Sequence, residues 1–421
     1  VMVLEGLGRV GGLARTIERN GNRFDIGPHR FFTRNDEVRD LFHRVLGDDF
    51  VRVSRQTRIL HDGVLFDYPL TPVNAMRGIG FRAGISIAGS YAAARVRRAV
   101  APRTAATFED WIVDRFGRRL FETFFRTYTE KVWGIPCSEI GADWAAQRIR
   151  GLSLGAAIRN AMRRRDAATQ IKTLVDEFSY PRRGAGQTYE KMATDVAAAG
   201  GVVHTDAVAT KIRREGMRVR SVTVAMGGVA REIDGDRFLT SATISDTIAL
   251  MDPPPPPEVV AAANALGYRD HISVNLVVAS PALFPDNWIY VHSKAVKAAR
   301  IANYRNFSAE MAASADVSPL TVEYFASPGD ALYSASDADL IATAKAELTT
   351  LGLLRDEAIV DGFVVRSPRA YPVLAIGHQR HVETVRAWLG RLENLLPIGR
   401  SGMFKYNNQD HAIATGLLAA R

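Results

Sequence analysis

The chain opens on an apolar run that ends in an acid and passes at once into glycines: Val1-Met2-Val3-Leu4-Glu5, then Gly6-Leu7-Gly8-Arg9-Val10-Gly11-Gly12. That order constrains the fold strongly, because a dinucleotide binds where a strand ends and backbone can approach phosphate or ribose without a Cβ in the way. Gly6-x-Gly8-x-x-Gly11 matches the dinucleotide fingerprint letter for letter, but the fingerprint needs a helix opening at its last glycine. Residues 14–26 instead alternate polar and apolar around Asn20-Gly21, a hairpin signal. The acid also precedes the glycines, whereas a ribose-binding acid ordinarily follows them by about twenty residues. Residues 1–4 therefore read as the second strand of a βαβ unit, with Glu5 at its tip. One carboxylate there can accept from both vicinal ribose hydroxyls. The first strand, its fingerprint and its helix are expected upstream of Val1, making the cofactor domain N-terminally truncated. Gly11 and Gly12 allow close backbone approach to the cofactor.

With 421 residues, 47% hydrophobic and 24% charged, the chain has the composition of a soluble globular protein and is long enough for two or three domains. The net charge of +9 comes mostly from arginine. The arginines are spread along the chain, with short clusters at Arg95-x-Arg97-Arg98 and Arg163-Arg164-Arg165, so they suit anionic small molecules and solvated faces better than nucleic acid. A lone cysteine, Cys137, excludes an internal disulfide framework and fits a reducing, cytoplasmic setting. No stretch reaches the ~20 apolar residues of a membrane span; 79–94 comes nearest and is broken by Arg82. The oligomeric state is not legible.

Glu5, Arg9, Gly11, Gly12, Arg15 and Thr16, spaced acid-x(3)-Arg-x-Gly-Gly-x(2)-Arg-Thr, resemble the second flavin-binding motif of the FAD-dependent amine oxidase superfamily. That group includes protoporphyrinogen oxidases and UDP-galactopyranose mutases. Three further segments are similar to the mutase branch: Gly27-Pro28-His29-x-Phe31-x-Thr33, Tyr128-Thr129-Glu130-Lys131-x-Trp133-Gly134, and Gly399-Arg400-x-Gly402-x(3)-Tyr406-x(3)-Asp410. Tyr180 to Gln187, with Gly184 and Gly186, resembles the oxidase segment more closely. The resemblance implies an α/β fold: a discontinuous Rossmann-like FAD-binding domain with a helical and an antiparallel-sheet substrate domain. The expected pieces are 1–67, 184–257 and 394–421 for FAD, 68–183 for the helical part and 258–393 for the sheet part.

Within those pieces, periodicity predicts helices over 108–125, 144–162, 188–199 and 337–350, and strands over 202–208, 219–226, 238–241, 272–278, 321–325 and 360–365. Resemblance places the Val208 backbone on the adenine. It places Gly27, Pro28 and His29 beside the flavin ring, and Gly399, Arg400 and Asp410 in the closing flavin segment. His29 and Arg400 are the catalytic candidates, with the flavin itself as the reactive group.

Diphosphate recognition favours forked guanidiniums and phenolic hydroxyls. The candidates are Arg148, Arg300, Tyr304, Arg305, Arg369, Tyr371, Arg400 and Tyr406, with Arg150 an alternative to Arg148. His378-x-x-His381 lacks a third ligand and reads as a solvated helix face, so no metal is expected. Of the five tryptophans, Trp133 or Trp288 could stack on a uracil or a substrate ring, and the rest read as core.

Three functions follow. The first is a mutase-like enzyme that isomerises a nucleotide sugar, such as a UDP-sugar, using reduced flavin without net redox change. The second is an oxidoreductase of the amine oxidase or protoporphyrinogen oxidase type. The third is a non-catalytic remnant of the flavin fold.

Overall fold

The computed structural model describes residues 1–68, 78–148, 177–354 and 359–421. Strand Met2–Leu4 pairs in parallel with Val202–His204, and Phe238–Thr240 with Leu395–Pro397. These two short parallel ribbons draw on segments from both ends and the middle of the chain, and helix Gly186–Ala198 packs on the first of them. A four-stranded sheet lies alongside, in the order Val229–Asp234, Arg218–Met226, Ala207–Glu215 and Met251–Asp252.

The largest element is a seven-stranded sheet in the order Ile359–Pro372, Tyr268–Val278, Ser318–Ala326, Arg300–Asn303, Trp288–Val291, Thr57–His61 and Val64–Asp67. All its pairings are antiparallel but one, Trp288–Val291 with Thr57–His61. Strands Thr57–His61 and Val64–Asp67, inside the expected piece 1–67, form one edge of this sheet. The centre of this sheet is covered on both faces, and every residue of Ser318–Ala326 is buried, as a strand covered on two sides requires. Ile272, Val274, Leu276, Leu320 and Val322 make one face apolar, while the other carries His271, Ser273, Asn275, Thr321 and Glu323. Helix Asp337–Thr350 seals one face through Leu340, Ala344 and Leu348.

The hairpin at Asn20-Gly21 forms as expected. Thr16–Arg19 pairs with Asn22–Asp25, and both turn residues have left-handed φ (50° and 76°), the conformation that a tight two-residue hairpin turn demands. The single helix expected over 108–125 is instead two, Phe108–Phe116 and Arg118–Phe124. Gly117 separates them at φ 84°, where a Cβ would come within 2.7 Å of the Ser90 backbone. The close approach of helix Phe81–Val100, and not local propensity, sets that break. The helix expected over 144–162 is described only as Ala142–Arg148.

Candidate functional site

Glu5 stands at the tip of its strand. Its N–H donates to the His204 carbonyl (2.8 Å), its carbonyl accepts from Ala207 N–H (2.9 Å), and its carboxylate accepts from Leu7 N–H (2.9 Å). Gly11 and Gly12 follow with φ of 108° and 54°, and the space where a Gly12 Cβ would stand is empty out to 4 Å. Arg15 donates to the Gly12 carbonyl (2.7 Å). Burial lowers its pKa against the pull of Glu5. Val208, half-exposed, lies against Gly6. Glu5, Gly11, Gly12, Arg15 and Val208 thus share one end of the first ribbon.

Arg9 and Thr16 are expected there too, but both are spent on scaffold. Arg9 donates to the Thr16 carbonyl and faces Glu190 at 3.6 Å. The Thr16 hydroxyl donates to Asp25 Oδ1 (2.6 Å) and accepts from Gly186 N–H (2.8 Å).

Asp25, which no sequence signal marked, is the node of that scaffold. Fully buried, it accepts from Thr16, from Tyr180 Oη (2.7 Å) and from Ala185 N–H (3.1 Å), and its carbonyl accepts from Tyr304 Oη (2.7 Å). Burial pushes its carboxyl up to about 6, with the hydrogen bonds from Thr16, Tyr180 and Ala185 pulling the other way. Gly184 is required here, because a Cβ would lie 2.3 Å from Thr16 Oγ1. Tyr304, expected to bind substrate, is fully buried, and its hydroxyl donates to the Asp25 carbonyl.

The hairpin then delivers Gly27, Pro28 and His29 to a second cluster. Gly27, at φ 85°, passes so close to Arg300 and Glu323 that a Cβ would meet Arg300 Nη2 at 3.1 Å and Glu323 Oε2 at 3.2 Å. Arg300 forks onto Glu323 (Nε to Oε1, 2.7 Å), and His271 Nε2 lies 2.8 Å from Glu323 Oε2. Burial opposes ionisation of Glu323, but Arg300 and the His271 hydrogen bond prevail and hold it near 2.

His29 Nδ1 sits 2.9 Å from the Gly27 carbonyl. A carbonyl can only accept, so Nδ1 carries the proton and Nε2 presents a lone pair. Burial, then Arg400 and Arg300, draw the ring down to about 3, so the imidazole is neutral at physiological pH.

Arg400 completes the cluster. It donates from Nε (2.9 Å) and Nη2 (2.6 Å) to the Asn407 carbonyl, and its guanidinium lies 5.0 Å from the ring centres of both Tyr371 and Tyr406. Those two rings are 5.4 Å apart, and Trp133 meets Tyr406 edge-on at 5.5 Å. Tyr128 stacks on His292 at 5.0 Å and feels Arg300 and Tyr406. His29, Tyr128, Arg300, Tyr371, Arg400 and Tyr406 are all partly exposed, so the cluster reaches solvent. Behind it, Gly399 N–H donates to Thr415 Oγ1 (2.8 Å), and Asp410 opens helix Gln409–Ala420 beside His411.

Other candidates fall elsewhere. Arg305 donates to the Ser314 and Val317 carbonyls, and Arg369 pairs with Asp246 over Tyr268. Trp133 and Trp288 are both buried. The Arg148 side chain and all of Arg150 lie outside the described residues. Among the described residues no group of three potential metal ligands occurs.

Solved structures share this fold. A reduced UDP-galactopyranose mutase superposes with TM-score 0.84 at 20% identity, covering 99% of this chain and 88% of that one. A putative protoporphyrinogen oxidase from Exiguobacterium sp. 255-15 gives 0.74 at 14% identity, covering 100% and 92%. A redesigned putrescine oxidase gives 0.62 at 15% identity, covering 99% and 91%. The sequence profile of the flavin-containing amine oxidoreductases matches residues 1–382. With that match across most of its length, this chain belongs to the flavin-containing amine oxidoreductase family.

Proposed function

We propose that the chain is a mutase-type flavoenzyme acting on the sugar of an anionic nucleotide-diphosphate substrate. One observation carries this reading: the solvent-reaching cluster holds two guanidiniums, Arg300 and Arg400, against one carboxylate, Glu323, while His29 is neutral. A cationic amine would be repelled there, whereas a diphosphate would gain a forked partner and phenolic donors.

The residues present fit FAD. Glu5 offers a ribose acceptor, Gly12 an open backbone face, and Arg15 a partly desolvated cation. Gly27, Pro28 and His29 would border the flavin ring, Gly399, Arg400 and Asp410 would close over it, and the Val208 backbone would meet the adenine. When bound, the flavin supplies the reactive electron pair. The protein's share is orientation: Arg400 held by Asn407 and two tyrosine rings, Arg300 held by Glu323, and His29 presenting Nε2 as an acceptor. Tyr371 and Tyr406 would bind the substrate phosphates. The segment 180–187, which resembles the oxidases, is occupied in holding Asp25 and Thr16, so it gives the redox reading no support of its own.

The test is turnover of UDP-galactofuranose by the FAD-loaded protein, followed by chromatography with and without dithionite under anaerobic conditions. Conversion to the pyranose only in the reduced state supports the proposal. No conversion, with an amine or other hydride donor bleaching the oxidised flavin, would replace it with the oxidase reading.

A further inference from the structure

Helix Phe81–Val100 lies on the outside of the molecule. Its inner side is well used: Ala94 is buried, Ser90 Oγ accepts from Arg119 N–H (3.2 Å), and the Ser90 backbone packs on Gly117. Its outer side is not. Ile85, Gly89, Ala92, Ala93, Val96 and Val100 recur at three- and four-residue spacing, which brings them onto one face. All six are exposed, Ile85 by 57%, Val96 by 63% and Val100 by 79%.

The charge on this helix is one-sided. Its 20 residues include Arg82, Arg95, Arg97 and Arg98 and no acid. None of these four forms an ion pair among the described residues, whereas the arginines on the helices beneath do: Arg118 with Glu109 and Arg119 with Glu122. Toward its N-terminal end the helix borders a cavity of 430 Å³ lined by Val64, Phe66, Ile79, Ile87, His61 and Arg119.

We infer that this outer face docks on an anionic lipid bilayer, lying in the interface without crossing it. The chemistry is that of an interfacial helix, an apolar ridge with Arg95 and Arg97 on its two flanks and Arg82 at its N-terminal end. The charge pattern selects this occupant. Antiparallel pairing with a second copy would set Arg95, Arg97 and Arg98 near Arg82 with no acid to offset them. Nucleic acid would call for cations, not Val96 and Ile85, at the centre of the face.

Flotation of the full 421-residue chain with two kinds of vesicle tests this: phosphatidylcholine alone, and phosphatidylcholine with phosphatidylglycerol. The expected result is association with the anionic vesicles only, released by high salt. Arg95→Ala/Arg97→Ala should lower partitioning about thirtyfold, and Val96→Glu at least about tenfold. Both change exposed side chains, so unchanged thermal melting accompanies them. No association with anionic vesicles, or association indifferent to both variants, overturns the inference. So does a dimer in solution that Val96→Glu dissolves, since the second copy would then be the occupant.

Discussion

The seven-stranded sheet and the two parallel ribbons are built on opposite terms. In the sheet, Ile272, Val274, Leu276 and Val278 are all exposed by 1% or less, and the polar groups Arg300, Glu323 and His271 bond to one another. In the ribbons, Met2, Val202, Leu239 and Leu396 are each more than 40% exposed, and the glycine backbone beside them stands open. The sheet is complete as folded protein. The ribbons leave apolar surface and backbone open, and under the proposed function FAD covers them, so substitutions in the two regions should be read out differently.

The largest effect is expected in the sheet. Glu323→Ala removes the fully buried carboxylate to which both Arg300 and His271 bond and should cost about 3–5 kcal/mol in urea unfolding. Asp25→Asn, at the junction of the two regions, should cost about 2–3 kcal/mol, because an amide cannot accept all the donors now aimed at the carboxylate.

Asp25 also has a pH signature. Between its unfolded value near 3.9 and its folded value of about 6, the folded carboxyl holds a proton that the unfolded chain has released. Its contribution to stability is therefore full below that window and declines as pH rises through it. Asp25→Asn should remove this element from a pH series of denaturation curves.

At the ribbon end, Glu5→Ala should weaken FAD binding about tenfold, as loss of a charged acceptor would, yet leave the FAD-free melting temperature within about 1 °C. A fall in FAD-free stability comparable to that of Glu323→Ala would break the distinction between the two regions.

At neutral pH the smallest effect is expected from His29→Gln. The folded ring titrates near 3 and an unfolded histidine near 6.5. Stability is thus lost as pH falls below 6.5, because only the unfolded chain takes up that proton. The variant should flatten this acid limb, an outcome that sharpens the assignment of His29 to the solvent-reaching cluster.

What was legible in the sequence was local. Asn20-Gly21 announced its turn, and residues 337–350 form the expected helix because Ser336 caps it through Asp339 N–H and its apolar spacing meets the sheet. The glycines after Glu5 and the Arg400–Tyr406 spacing pointed to both halves of the candidate site. What escaped was set by distance along the chain. Glu323 and His271 lie on different strands, 52 residues apart, and each alone reads as an ordinary polar residue. Arg300 was a candidate for its guanidinium, but its fork onto Glu323, 23 residues on, was not legible. Asp25 acquires its meaning only from Tyr180 and Tyr304. Thr57–His61 resembles any short strand, and its parallel register with Trp288–Val291 at the edge of the large sheet is set by a partner 231 residues away.

The partners of Asp25 also carry a consequence for how the molecule is made. Its hydrogen bonds reach 155 residues ahead to Tyr180 and 279 ahead to Tyr304. At a synthesis rate of about 5–20 residues per second, the hairpin leaves the ribosome roughly 15–55 s before the last of those hydroxyls exists. Until then a carboxylate destined for a sealed interior must remain in water, so the N-terminal hairpin cannot settle early and wait. The start of this chain is finished only when the strand Arg300–Asn303 and the turn after it have been translated.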